Sequence, residues 1–246
     1  RRHSFPTRRS SDLVQLEQLQ QPHYPQEAGE AAVRFRGLGV ALVTPFRPAA
    51  HGAVPPIDYA GLQMVIEHQI NGGVDYLVVM GTTGESVTIT AEEKKQLLAY
   101  VIEVVKNRVP IVLGVGGNNT AEVVHQLETY DLSGVDGILS VCPYYNKPTQ
   151  EGLFQHYKAS AEAVAIPQIL YNVPGRTGVD MQNATVARLA GLPNIVGIKD
   201  ATGNVARGCE LMGMVGDRMA VYSGDDATAW ELMLQGAKGN ISVTAN

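Results

Sequence analysis

Eight short apolar runs recur from Leu38 onward, and their spacing limits the fold more than any bulk property of the chain. They are LGVALVTP (38–45), DYLVVMG (75–81), PIVLGVG (110–116) and GILSVCP (137–143), then QILYNVP (168–174), NIVGIKD (194–200), MAVYSGDD (219–226) and GNISVTAN (239–246). Most are continuously apolar rather than alternating, the pattern of strands covered on both faces in a parallel sheet. The segments between them carry helical period. Over 58–71, Leu62, Val65, Ile66 and Ile70 share one stripe; over 91–106, Leu97, Leu98, Val101, Ile102 and Val105 do the same. Thr90 with Glu93 three residues on forms a capping-box start for the second of these.

Strand, loop and helix repeated in this way predict successive βαβ units. Eight such units fit a closed (β/α)8 TIM barrel over residues 34–246 better than an open doubly wound sheet, which more often carries GxGxxG at its first turn. The stretch GVGGNN at 114–119 lacks the final glycine and reads as a tight turn, and no Walker A sequence is present. A barrel needs a helix after its eighth strand, so the pattern reads as truncated there, with C-terminal helices missing. A chain of that form is expected to be poorly soluble or inactive beside an extended one. Residues 1–33 begin basic and Ser-rich and continue Gln-rich, without an apolar signal core, and are expected to be non-native or disordered.

Composition narrows the function classes. A net charge of -5 offers no basic surface for nucleic acid or an anionic membrane. Cys142 and Cys209 show no metal-ligand or disulfide spacing, and the histidines are scattered, so no metal is expected. No apolar stretch approaches the roughly 20 residues of a membrane span. These features predict a soluble protein of a reducing compartment, placed in the cytoplasm.

In a barrel of this kind the active site lies at the C-terminal ends of the strands. The residues with chemical potential gather there: GTTGES (81–86), CPYYNKP (142–148), YNVPGRTG (171–178), Lys199 and SGDD (223–226). Each has a bland reading beside the chemical one. GTTGES is either an ordinary βα turn or a site whose backbone N–H groups and Thr82 and Thr83 hydroxyls suit a carboxylate. Tyr144 and Tyr145 can be packing residues, and Arg176 a surface charge or a carboxylate partner. Asp225 and Asp226 lack a third ligand and read as helix N-caps.

Lys199 closes an apolar run, where lysine is rarely buried without purpose. One reading is a side chain snorkelling at the barrel mouth. The other is an amine whose pKa falls on desolvation, free to attack a ketone and form a Schiff base. Proton relay would then fall to neighbouring phenols and a threonine hydroxyl.

GTTGES, PYYNKP, YNVPGRTG, GIKDATGN, SGDD and ISVTAN, in that order from Leu38 to Asn246, make the chain similar to the dihydrodipicolinate synthase family of pyruvate-dependent class I aldolases. The resemblance implies a Schiff base between Lys199 and pyruvate. Thr82, Tyr145 and Tyr171 would relay protons, with Tyr145 supplied by the neighbouring subunit of a tight dimer. Thr82 and Thr83 would hold the pyruvate carboxylate and Arg176 that of L-aspartate 4-semialdehyde. Gly224 and Ile241 would line the site. The implied reaction belongs to the diaminopimelate route of lysine biosynthesis, needs no metal or organic cofactor, and is run by a homotetramer of tight dimers. The alternative is a related pyruvate aldolase, such as N-acetylneuraminate lyase or a keto-deoxy-sugar-acid aldolase, against which Thr82 and PGRTG weigh. Ser86, Asn118, Glu122 and Tyr144 fit the effector site of lysine-sensitive members, whereas Ala91 and Lys94 depart from it.

Overall fold

The computed structural model describes residues 34–246, so the expectation for residues 1–33 lies outside the described residues. Eight parallel strands close on themselves in chain order. They are β1 (Gly37–Ala41), β2 (Tyr76–Val79), β3 (Ile111–Gly114), β4 (Gly137–Val141), β5 (Gln168–Asn172), β6 (Ile195–Asp200), β7 (Ala220–Ser223) and β8 (Gly239–Ser242). The ring closes where β1 pairs with β8, from Gly37↔Gly239 to Val40↔Ser242. This is the (β/α)8 barrel that the apolar runs predict.

Helices follow the strands: α1 (Tyr59–Asn71), α2 (Ala91–Val105), α3 (Thr120–Thr129) and α4 (Gln150–Ala163), then short α5 (Pro174–Thr177) and α6 (Asn183–Leu189), α7 (Val205–Val215) and α8 (Ala229–Leu234). Their starts are written in the sequence. Thr90 accepts from the Glu93 N–H while the Glu93 side chain accepts from the Thr90 N–H, the reciprocal pair that satisfies two orphan donors. Asp58, Asn119, Thr149 and Asn204 cap α1, α3, α4 and α7 with side-chain oxygens.

The apolar residues sort into layers. Phe35, Val78, Val112, Ile169, Tyr222 and Ile241 belong to one cluster that fills the ring, and two further clusters join the outer strand faces to the helices. Gly197 lets the Tyr222 ring in, since a Cβ there would stand 2.6 Å from its Cε2. Pairing of β5 with β6 carries one register shift: Gln168 faces Ile195, but Ile169 faces Gly197. The extra residue on β6 resets its alternation, as a bulge does. Ile198 consequently joins the outer layer and Lys199 turns inward beside Tyr171.

Candidate active site

Tyr171 and Lys199 are direct register partners at the ends of β5 and β6. Both are buried, Lys199 to 3% exposure. The Lys199 Nζ lies 4.4 Å from the centroid of the Tyr171 ring. Among the described residues no carboxylate stands within ion-pair distance of this amine. Desolvation therefore dominates and pulls its pKa down to about 8, opposed by the more distant charge of Asp226 and assisted by Arg176. Burial pushes the Tyr171 phenol up, with Arg176 working against it, so the phenol keeps its proton at neutral pH.

Room for the lysine stem comes from Gly224. A Cβ at that position would lie 2.8 Å from Lys199 Cε and 2.8 Å from Ala201 Cβ. The Gly224 N–H donates to the Asp200 carbonyl, tying the end of β7 to the residue that follows the lysine.

Tyr171 opens onto a cavity of about 250 Å³ that Thr82 and Arg176 also line, whereas Lys199 and Gly224 are not part of its lining. Ser86, Lys94 and Tyr144 share the same cavity. Lys94 is held below the usual lysine range by desolvation, with Glu122 acting against the shift. Asn118 donates to the Tyr144 carbonyl and so joins the CPYYNKP loop to the loop after β3. Arg176 sits on α5, a single turn opened by Pro174 and closed by Gly178 in the left-handed region at φ 74°.

The GTTGES loop owes its shape to Met80 and Glu85, both non-glycine residues in the left-handed region at φ 54° and 52°. Thr44, buried after β1, donates its hydroxyl to the Gly84 carbonyl at 2.7 Å and anchors this loop. Sequence reasoning passed over Thr44, because one threonine after a strand carries no signal by itself.

Not every expected residue reaches the cavity. Tyr145 is 88% exposed, at φ 72°, and opens with Lys147 onto an outer recess shared with Arg176. Thr83 lies beside Thr82 without lining the cavity, and Ile241 is buried in the ring interior on β8.

The reading of Asp225 and Asp226 as helix caps is corrected. Thr228 is the residue at the N-cap of α8, and Asp225 accepts from its N–H and hydroxyl. Asp226 reaches across to the end of β8 and accepts from the Val243 and Thr244 N–H groups, the Thr244 hydroxyl and the Asn240 amide. Burial alone would raise its carboxyl, but the Thr244 N–H and the Asn240, Ser242 and Thr244 side chains outweigh it and hold it far below the usual range. The carboxylate stays charged at any working pH. It faces backbone donors of a loop distant in sequence, which a local capping pattern does not reveal.

An amine whose pKa burial lowers to about 8 inside a barrel mouth is what imine chemistry asks for, and the protein is an enzyme of the Schiff-base-forming, class I aldolase type. A profile described as the dihydrodipicolinate synthetase family matches residues 34–246, and the chain belongs to that family. It is 55% identical over 213 residues to the 4-hydroxy-tetrahydrodipicolinate synthase of Psychrobacter arcticus, covering 87% of this chain and 69% of that protein. With the enzyme of the same name from Pseudomonas aeruginosa it shares 52% identity over 210 residues, 85% of this chain and 70% of the relative. Among solved structures, the chloride-inhibited dihydrodipicolinate synthase from Acinetobacter baumannii complexed with pyruvate superposes with a TM-score of 0.81 at 54% identity, over 85% of this chain and 70% of that one.

Proposed function

We propose that this chain is a 4-hydroxy-tetrahydrodipicolinate synthase that condenses pyruvate with L-aspartate 4-semialdehyde. The observation that carries the reading is the desolvated Lys199 amine against Tyr171, beside a cavity that also presents Thr82 and Arg176. Relatives that are 55% and 52% identical to this chain over the 213 and 210 aligned residues carry that name.

The neutral Lys199 amine adds to the ketone of pyruvate, and loss of one water leaves a protonated imine. The imine draws electrons from the adjacent methyl group, a proton leaves, and an enamine forms. Its carbon attacks the aldehyde carbon of the semialdehyde, making the C–C bond, and the resulting alkoxide takes a proton. The amino group of the semialdehyde then adds to the imine carbon and displaces Lys199, closing the ring.

Tyr171, whose ring faces the amine, is the proton carrier, and Thr82 lines the same cavity as Tyr171. Thr82 and Thr83 hold the pyruvate carboxylate, and the Arg176 guanidinium pairs with that of the semialdehyde. Gly224 and Ile241 shape the wall around the lysine. No metal or organic cofactor takes part, since the imine itself is the electron sink. Tyr145 completes the relay in a partner subunit, a role consistent with its projection into solvent from a strained backbone. The working assembly is a homotetramer of tight dimers in the cytoplasm, where free Cys142 and Cys209 remain reduced.

Pyruvate-dependent consumption of L-aspartate 4-semialdehyde, followed by coupling to reduction of the product, tests the reading. Turnover of N-acetylneuraminate with none of the semialdehyde would replace it with the lyase.

A further inference from the structure

Behind Tyr171 and Lys199 stands a second pair of register partners, Asn172 and Asp200, each the next residue on its strand. Both are buried, Asn172 completely and Asp200 to 4% exposure. Alternation turns them outward, toward the helices. Burying an amide and a carboxylate in this way is costly unless every polar atom finds a partner.

The partners form one circuit. The Asn172 amide donates to Asp180 Oδ1 at 2.8 Å, while its carbonyl oxygen accepts from the Met181 N–H at 3.1 Å. Asp200 accepts from the Thr202 N–H at 3.1 Å and from Arg207 Nε at 3.2 Å. Arg207 Nη1 reaches Asp180 Oδ2 at 3.1 Å, and Nη2 donates to the Met181 carbonyl. A single guanidinium from α7 thus ties together the residues that follow the phenol and the amine. It holds the end of β6 directly and the end of β5 through Asp180.

We propose that Arg207 is a positioning residue for the reaction, setting the Tyr171–Lys199 geometry from behind the sheet through Asp200 and through Asp180 to Asn172. The inference rests on the Schiff-base reading of Lys199. Rigid support is required because a phenol and an amine displaced by about 1 Å lose on the order of a hundredfold in rate. Arg207 also balances the Asp200 carboxylate, which is adjacent in sequence to the amine. The other charged or titratable groups facing Lys199 are Tyr171 on β5, Arg176 on α5, Tyr222 on β7 and Asp226 beyond β7. Among the described residues Arg207 is the cation paired with Asp200.

The test measures reductive trapping of pyruvate on Lys199 against pH, in the full chain and in R207Q, R207K and R207Q/D200N. R207Q leaves the Asp200 charge unpaired, which favours the ammonium form of Lys199. The half-maximal pH of trapping should rise by about one pH unit, and the plateau rate should fall about tenfold. R207K should keep the half-maximal pH near that of the unsubstituted chain, and removing the Asp200 charge in the double variant should bring it back down. A folded R207Q with unchanged rate and pH profile overturns the inference. Should R207Q fail to fold, D180A carries the test, since its side chain is half exposed and its loss cuts the link from Arg207 to Asn172. Slower trapping in folded D180A supports the inference, and an unchanged rate overturns it. Absence of any adduct on the unsubstituted chain would remove the Schiff-base reaction itself, and the inference with it.

Discussion

Lys199 Nζ stands 4.4 Å from the centre of the Tyr171 ring, in the row where β5 and β6 pair residue for residue. In the proposed reaction the phenol passes protons at the carbon next to the imine. Phe in place of Tyr171 keeps the ring that packs against the amine and removes only the hydroxyl. Y171F should still trap pyruvate, while its condensation rate falls on the order of 10²-fold or more. Equal losses in trapping and condensation would show that the phenol acts on imine formation itself.

Gly224 is the position where the lysine stem has no room to spare. In G224A the new methyl meets Lys199 Cε and Ala201 Cβ at 2.8 Å each, and the lysine has to swing away from Tyr171. The trapping rate should drop about tenfold, with a stability cost of about 1–3 kcal/mol from overpacking. Thermal denaturation and the trapping rate measure the two effects separately. A variant that melts lower and traps at the normal rate would mean that the stem adapts in place.

The two charges that act on Lys199 from a distance have opposite signs, and so do their predicted effects. Asp226 favours the ammonium form, and Arg176 disfavours it. D226N should lower the half-maximal pH of imine formation below about 8, and R176Q should raise it. A pH–rate series on the three proteins decides. Movement of both variants in the same direction would mean that loop displacement, not charge, controls the amine.

The parts of this molecule that repeat were legible in the sequence. Eight apolar runs announced the strands, and Thr90 with Glu93 marked the start of α2, because strand burial and helix capping are local in the chain. The gathering of Thr82, Tyr171, Arg176 and Lys199 at one rim followed from the rule that βα loops share one end of the barrel. What escaped notice is non-local. The one-residue shift that turns Lys199 inward lies inside a uniformly apolar stretch, where no alternation betrays it. Acids before helices usually cap them, but the partners of Asp226 lie on the loop after β8. Arg207 and Asp180 are 27 positions apart and meet only because α7 packs outside β6.

The most direct measurement is mass spectrometry of the folded chain after incubation with pyruvate and a hydride reductant across a pH series. One reduced pyruvate should be found on Lys199 and on no other lysine, absent in K199A, with an initial rate that climbs through about pH 8 as the ammonium form gives way. A chain that stays unmodified, or carries the adduct on a different lysine, would contradict the assignment of Lys199 as the nucleophile.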